Sequence, residues 1–445
     1  MRTVTNKLPL LRGITAGATF AYQRGRQVAV EEFLSDVYAL AGSLPDRRYV
    51  LNVCEDRYHF MVGFGAALLR EQVSLLPPNQ TPDLIGKLGA TYDGLYCLTD
   101  GATAHASLET VFYRARNAGH VSVARMPSIL ANQCAAIVFT SGSTGEPVPS
   151  PKTWGSLVAS AHAEAERLGL HAHAGMALLG TVPPQHMYGL ESTVLLAMQN
   201  GFAVHSGRPF YTSDIREALA LLPPPRGLIT TPVHLRALIS DEEKIPAVDF
   251  LLCATAPLSP QLAACAEARL SAPLYEIYGC TEAGQVATRR TLNSAEWLAL
   301  PGIKLHQNEK GTWARGGHVE STVLLNDVIE LRGAQRFLLH GRTADLVNIA
   351  GKRTSLAHLN YHLNSIEGVV DGVFVMPEEK SDAVTRLMAL VVAPGLTMEA
   401  VLDALRQRID AAFLPRPLHL VSALPRNATG KLPRRALSQL LAAAP

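Results

Sequence analysis

One pattern restricts the fold of this chain more than any other. Along its first two-thirds, short unbroken apolar runs alternate with stretches of helical periodicity. AAIVFT (135–140), MALLGTV (176–182), LITT (228–231), FLLCAT (250–255) and LYEIY (274–278) each read as a buried strand. The first leads through Gly and Ser residues to a helix around Trp154–Leu168, and several others precede a helix with a polar or proline start. Strands that alternate with helices predict an α/β architecture, a mostly parallel sheet covered by helices. Loops at the carboxyl ends of such strands usually carry the ligands.

The tail is patterned differently. A helix over 355–366, strands in VDGVFV and RLMALVV, a second helix and a last strand in LHLVSAL predict a compact α+β unit. In TMEAVLDALRQRIDAAF, Val401, Leu402, Leu405, Ile409 and Ala412 fall on one helical face. The boundary is expected at Gly341–Arg342, giving a large domain of residues 1–341 and a smaller one of 342–445.

Composition supports a folded chain of this size. Of 445 residues, 48% are hydrophobic and 18% charged, which supplies a core and excludes disorder as the main state. A formal net charge of +2 is too near balance for a dedicated nucleic-acid binder. The charge is uneven, however. Residues 342–445 hold 12 Lys+Arg against 9 Asp+Glu, a net of +3, and from Arg416 onward there are five basic residues and no acid. On charge alone this is a solvated face before it is a docking face for phosphate or an acidic partner. No apolar run approaches the roughly eighteen residues that signal a membrane span. Asn6, Lys7, Pro9 and Arg12 interrupt any signal-peptide core, and Cys54, Cys97, Cys134, Cys253, Cys265 and Cys280 form no CxxC pair. A cytoplasmic chain with reduced thiols is expected.

Four short patterns carry chemistry. Thr140-Ser141-Gly142-Ser143-Thr144-Gly145-Glu146-Pro147 follows AAIVFT directly. Its glycines let the backbone approach an anion, and its hydroxyls and amides can donate to phosphate oxygens. It has neither the Gly-Lys-Ser/Thr of a Walker A loop nor the spacing of a nucleophile elbow. Alone, it is equally a polar turn. Tyr278-Gly279-Cys280-Thr281-Glu282 sets a ring, a flexible Gly, a hydroxyl and a carboxylate at a strand end, suited to a nucleotide and to magnesium, which prefers oxygen. Alone, it is a surface turn with a core Tyr. Gly341-Arg342-Thr343-Ala344-Asp345, with Gly351-Lys352-Arg353 after it and Asp327 of LNDVIEL before it, forms the third; a strand Asp near an Arg is by default a structural ion pair. In the fourth, Leu424-Pro425-Arg426-Asn427-Ala428-Thr429-Gly430-Lys431, a lysine on a glycine-containing loop can present a point charge to phosphate, or be merely solvated.

In this order and together, the four patterns resemble the adenylate-forming superfamily of acyl-CoA synthetases, nonribosomal peptide adenylation domains and luciferases. The resemblance implies a large N-terminal domain holding ATP and the acyl pocket, and a smaller mobile C-terminal domain. It implies that a carboxylate is activated with ATP and Mg2+ to an acyl-adenylate, that pyrophosphate leaves, and that a thiol then takes the acyl group. Thr140 and Ser141, Gly142, Ser143, Thr144 and Gly145 would cradle the β- and γ-phosphates. Tyr278, with Gly279 beside it, would lie on the adenine, Thr281 would contact the α-phosphate and Glu282 would hold magnesium. Asp327 would accept the ribose hydroxyls, and Arg342 would add a ribose and phosphate contact. Ala256 and Pro257 match the strip between adenine and acyl group.

Gln185-His186-Met187-Tyr188-Gly189 sits where the family places its acyl-pocket motif. There His186 would line the carboxylate or gate the thiol path; alone, such a His is more often structural, and its position makes the two readings about even. Lys431 matches the mobile lysine that bridges the acyl carboxylate and the α-phosphate, where two anionic groups need positive charge between them. Rotation about Arg342–Asp345 would withdraw it and present Gly351, Lys352 and Arg353 to the thiol path.

AYQRGRQVAV, LNVCEDRYHF and LLPPNQTPD look like the hydroxybenzoate–acyl carrier protein ligases of aryl-polyene pigment pathways. This narrower resemblance implies a hydroxybenzoate-like acid and an acidic carrier protein with a phosphopantetheine arm, to which the basic tail is complementary. Coenzyme A as acceptor is the alternative, and a non-catalytic adenylate-binding module a second; retained Lys431, Glu282 and Asp327 argue against the module. Two features depart from the family pattern. Val148, Pro149, Ser150 and Pro151 intervene before Lys152, and Ala344 occupies the usual hinge position. Gly63-Phe64-Gly65 reads as a tightly packed helix of small residues, not a dinucleotide fingerprint. His171 and His173 are too few for a metal site.

Overall fold

The computed structural model describes the chain apart from residues 1–5, 103, 105–106, 115–124, 142–146, 343–345, 350–351, 377–386, 428–431, 434–435, 438 and 441–445. Among the described residues an eleven-stranded sheet, a six-stranded sheet and a three-stranded sheet near the C-terminus set the frame.

Four of the apolar runs form the centre of the largest sheet. Ala177–Gly180, Arg226–Thr230, Phe250–Cys253 and Leu274–Cys280 run parallel, with Leu178 opposite Gly227, Leu228 opposite Leu251 and Leu252 opposite Tyr275. Their alternate side chains enter two different cores. Leu178, Ile229, Phe250 and Leu252 pack on one face, and Leu179, Leu228, Leu251 and Cys253 on the other. A strand buried on both faces must be apolar throughout, which is why these runs are unbroken. Each such Leu or Ile contributes about 1.5–3 kcal/mol through burial.

The helices between them start as their sequences require. Thr231 Oγ1 caps Pro232–Ser240, and Ser259 Oγ caps Pro260–Leu270 by accepting from the Leu262 amide at 3.2 Å. Each begins with a proline, where no N–H is needed.

Two features differ from the sequence expectation. The sheet is parallel only in its centre: after Leu274–Cys280 it continues through Gly284–Arg289, Trp297–Ala299, Arg336–Arg342 and Asp327–Leu331, each antiparallel to its neighbour. Most of these neighbours are joined by short connections, because an antiparallel return needs only a turn; Trp297–Ala299 and Arg336–Arg342 meet across a longer excursion. In the six-stranded sheet, Cys134–Ser141 does not pass straight to a helix. It pairs with Pro147–Thr153, an antiparallel edge strand, and only then does Trp154–Arg167 begin, capped by Thr153 Oγ1 at 3.1 Å from the Ser156 amide. Prolines at 147, 149 and 151 leave the ladder to the amides of Val148, Ser150 and Lys152, a pattern only an edge strand tolerates.

Lying between Trp297–Ala299 and the edge strand Asp327–Leu331, Arg336–Arg342 is the last stretch of chain to join the large sheet. Beyond it come a hairpin of Leu346–Ile349 and Lys352–Ser355, the helix Leu356–Asn364, and strands Asp371–Val375, Met388–Val392 and Leu418–Leu420. These residues share their own core, which includes Val347, Leu359, Phe374, Val391, Val401 and Leu405. The helix in TMEAVLDALRQRIDAAF is shorter than its periodicity suggested, running over Met398–Arg406. Asp410 then caps a separate turn, Ala411–Phe413, that buries Phe413. The smaller C-terminal domain is therefore α+β, beside a large sheet-rich one. No described helix is long and apolar enough to cross a membrane, and all six cysteines are free thiols.

Candidate functional site

The antiparallel flank joins two of the sequence motifs. Tyr278, in Leu274–Cys280, donates its hydroxyl to Asp327 Oδ2 at 2.6 Å across 49 residues of sequence. Its ring is held tilted against Trp297 and edge-on against Phe337, both at 5.8 Å between centroids. Asp327 starts its strand and stands opposite Arg342 in register. Tyr278, Asp327 and Arg342 are thus brought to one border of the sheet.

Gly279 permits the sharp return at this border. A Cβ there would lie 2.4 Å from the Gly284 carbonyl oxygen, so no other residue fits without moving the backbone. The bulge between Tyr278 and Gly279 turns the chain toward Thr281 and Glu282. Glu282 is exposed, and its backbone is pinned from below: Lys152 Nζ donates to the Glu282 carbonyl at 2.7 Å, and Ser150 Oγ to the Thr281 carbonyl at 3.3 Å. The strand Pro147–Thr153 makes this possible, because residues 150 and 152 share a face. Lys152 is buried, and its ammonium holds the Thr281–Glu282 backbone. Burial also pushes the Cys280 thiol up to about 12, with Glu282 beside it adding to the shift.

The Gln185–Gly189 segment lies after Ala177–Gly180, at the ends of the same parallel strands. Gln185 Nε2 donates to the Cys54 carbonyl at 2.6 Å. His186 is half-buried and opens a helical turn over Met187–Gly189. Tyr188 is turned into the sheet: its hydroxyl lies 3.2 Å from the Thr230 carbonyl and 3.0 Å from that of Leu252, so it offers a pocket its ring but not its proton. Gly189 packs so closely that a Cβ would meet the Pro183 oxygen at 1.9 Å. A π-helical stretch, Leu190–Leu195, continues the segment. Such stretches often mark functional sites. Two strands away, Thr255 adopts φ +81°, a region costly for a β-branched residue, immediately before half-buried Ala256 and exposed Pro257.

Beneath Glu282 lies a polar cluster that no sequence pattern announced. Glu191 accepts from Ser160 at 2.7 Å, Gln285 donates to Glu164 at 3.0 Å, and His318 Nε2 lies 2.8 Å from the Gln285 carbonyl. Burial pushes Glu164 up to about 8 and Glu191 up to about 7, and holds His318 down at about 4. Lys152, Met187, Glu191, Glu282 and His318 line a cavity of about 60 Å³ that lies between the Gln185–Gly189 segment and the Tyr278–Glu282 motif. Its lining comes from four separated stretches of chain, so only the fold reveals it.

Other candidates lie elsewhere. Gly142, Ser143, Thr144 and Gly145, Gly351 and Lys431 fall outside the described residues, as do residues 343–345 of the expected hinge. Thr140 and Ser141 end the strand that leads into the phosphate-loop motif. Lys352 is exposed and pairs with Asp410, and Arg353 follows it in the same strand.

This is the two-domain α/β fold of adenylate-forming proteins, with strand-end motifs gathered around Tyr278 and Asp327. The chain belongs to the AMP-binding enzyme family, whose profile matches residues 43–310. It is 29% identical over 303 residues to a 4-coumarate–CoA ligase of Halorhodospira halophila, spanning 66% of this chain and 73% of that protein. It is 24% identical over 442 residues to a 2-succinylbenzoate–CoA ligase of Bacillus velezensis, spanning 90% and 87%. Its fold matches ATP-bound MatB from Rhodopseudomonas palustris with a TM-score of 0.80 at 17% identity, over 96% of each chain. It also matches the o-succinylbenzoate CoA synthetase of Bacillus subtilis in complex with its acyl-adenylate intermediate, with a TM-score of 0.79 at 18% identity, over 97% and 98%.

Proposed function

We propose that this protein activates a carboxylic acid with ATP to an acyl-adenylate, releasing pyrophosphate, and then transfers the acyl group to a thiol. The observation that carries this reading is the Tyr278–Asp327 hydrogen bond, which joins two distant motifs of an AMP-binding chain and supports reading them as one ribose-and-adenine recognition unit. In this reading Tyr278 and Gly279 face the adenine, Asp327 and Arg342 hold the ribose, and Ala256 and Pro257 separate base from acyl group. Thr140 to Gly145 cradle the outer phosphates and Thr281 the α-phosphate. Glu282 is an exposed carboxylate on a fixed backbone, the oxygen donor a hard cation needs, and it fits magnesium shared with phosphate oxygens. Magnesium bound there would neutralise charge on the departing pyrophosphate.

Residues 1–341 form the core domain and 342–445 a mobile one that brings Lys431 between carboxylate and α-phosphate. Lys431 supplies the charge that lets one anion approach another. It then withdraws as Gly351, Lys352 and Arg353 line the thiol path. His186, Met187, Tyr188 and Gly189 border the acyl pocket.

The acid is aromatic in this reading, hydroxybenzoate-like from the sequence resemblance. The relatives named for 4-coumarate and 2-succinylbenzoate support an aromatic acid. The acceptor is the phosphopantetheine of an acyl carrier protein, for which the basic tail is suited. Coenzyme A is the second reading, favoured by the names of those same relatives. Carboxylate-dependent exchange of labelled pyrophosphate into ATP, run over a panel of aromatic acids, tests the first step. We expect exchange with at least one hydroxylated benzoate or cinnamate; none with any acid would leave only an adenylate-binding module. A thioester assay with both acceptors then separates carrier protein from coenzyme A.

A further inference from the structure

Between the two lobes a single carboxylate holds two arginines. Asp371 opens the strand Asp371–Val375 of the C-terminal sheet. Arg426 grips it with two parallel bonds, Nε to Oδ2 at 2.7 Å and Nη2 to Oδ1 at 2.9 Å. Arg426 lies five residues before Lys431 in sequence. The second arginine comes from the large domain: Arg236 Nη1 is 3.4 Å from Asp371 Oδ1. Arg236 sits on Pro232–Ser240, the helix that follows the strand Arg226–Thr230, whose last carbonyl receives Tyr188.

All three side chains are mostly shielded, at 15–21% exposure. An ion pair so placed is less screened than a surface one, and a bidentate guanidinium fixes orientation as well as distance. The geometry has a mechanical consequence. Only when the C-terminal sheet approaches this helix can Asp371 satisfy both guanidiniums, while the same carboxylate holds Arg426, five residues before Lys431 in sequence.

We propose that Arg236, Asp371 and Arg426 form an interdomain clasp that positions Lys431 for acid activation and opens for thiol transfer. Arg236 and Asp371 are positioning residues: they act through the loop and touch no substrate. This rests on the two-step reading above.

Arg236→Gln is the decisive variant, because it removes the interdomain leg and leaves the Asp371–Arg426 pair intact. We expect kcat for pyrophosphate exchange to fall on the order of tenfold with KM for ATP within about twofold, since fewer molecules hold the competent arrangement. Transfer from a supplied acyl-adenylate to a thiol should be unchanged or faster, and Arg236→Lys should recover part of the exchange. Equal loss in both half-reactions, or no loss in exchange, overturns the clasp. Hydrogen–deuterium exchange of the full chain gives a readout that needs no substrate. In Arg236→Gln, amides of Asp371–Val375 and of 421–427 should gain exchange along with Pro232–Ser240. A gain confined to the helix rejects the proposal even if no acid supports turnover, so failure of the clasp and failure of the activity are told apart.

Discussion

Individual residues at the nucleotide border make separable predictions. In Tyr278→Phe the ring keeps its packing against Trp297 and Phe337, and the hydrogen bond to Asp327 is lost. A bond to a charged acceptor is worth about 1.5–3 kcal/mol. We expect KM for ATP in pyrophosphate exchange to rise roughly tenfold or more, with kcat little altered; an unchanged KM would detach this pair from nucleotide binding. Thr255 offers the opposite sign. Its φ of +81° costs a β-branched residue about 1–3 kcal/mol, whereas glycine adopts it freely. The added flexibility of glycine in the unfolded chain takes back about 0.5–1 kcal/mol. Thr255→Gly should therefore stabilise the protein by roughly 1 kcal/mol in denaturant titration.

At the scale of elements, the packing of Trp154–Arg167 against the π-helical stretch Leu190–Leu195 sets a pH dependence. Glu164 is fully buried, and burial raises its carboxyl from about 4.5 unfolded to about 8 folded. The folded state thus holds a proton that the unfolded state releases. The resulting stability is complete below pH 4.5 and is lost progressively as pH rises through 8. Glu164→Gln removes this titration, so the variant should lose less stability than the parent between pH 5 and pH 8, measured by thermal melts. Parallel slopes would mean that Glu164 is already ionised in the folded protein.

The elements also show what the sequence made legible. The parallel strands were readable because burial on both faces demands unbroken apolar runs such as FLLCAT. The strand Pro147–Thr153 was not, because three prolines disguise it and its partner ladder uses only alternate amides. That missing strand hid the role of Lys152, which is intelligible only once residues 150 and 152 share a face beneath Glu282. The gathering of Tyr278 with Asp327 came from family resemblance and not from periodicity. The buried group of Lys152, Glu164, Glu191, Gln285 and His318 had no local signature, since polar residues far apart in sequence meet only through packing.

For the whole molecule, the two-lobe reading predicts unequal damage from one substitution. Lys431→Ala should abolish most pyrophosphate exchange while thiol transfer from a supplied acyl-adenylate largely survives. Parallel loss of both would contradict a lysine that serves one step and leaves before the next. The charge distribution acts at this scale too. If the proposed acidic carrier is the acceptor, the basic C-terminal domain would draw it in, and added salt should slow that encounter more than it slows reaction with coenzyme A.

The proline-bearing strand has a bearing on how these molecules behave in a crowd. It lies at the rim of the six-stranded sheet, with no further strand beside it among the described residues. An unguarded rim of this kind can recruit a neighbour's backbone and seed fibres. Rings at positions 149 and 151 deny such an intruder two donors and so act as chemical bumpers. Replacing both with valine should leave the monomer folded yet raise thioflavin-positive aggregation on prolonged incubation, whereas the parent chain stays dispersed.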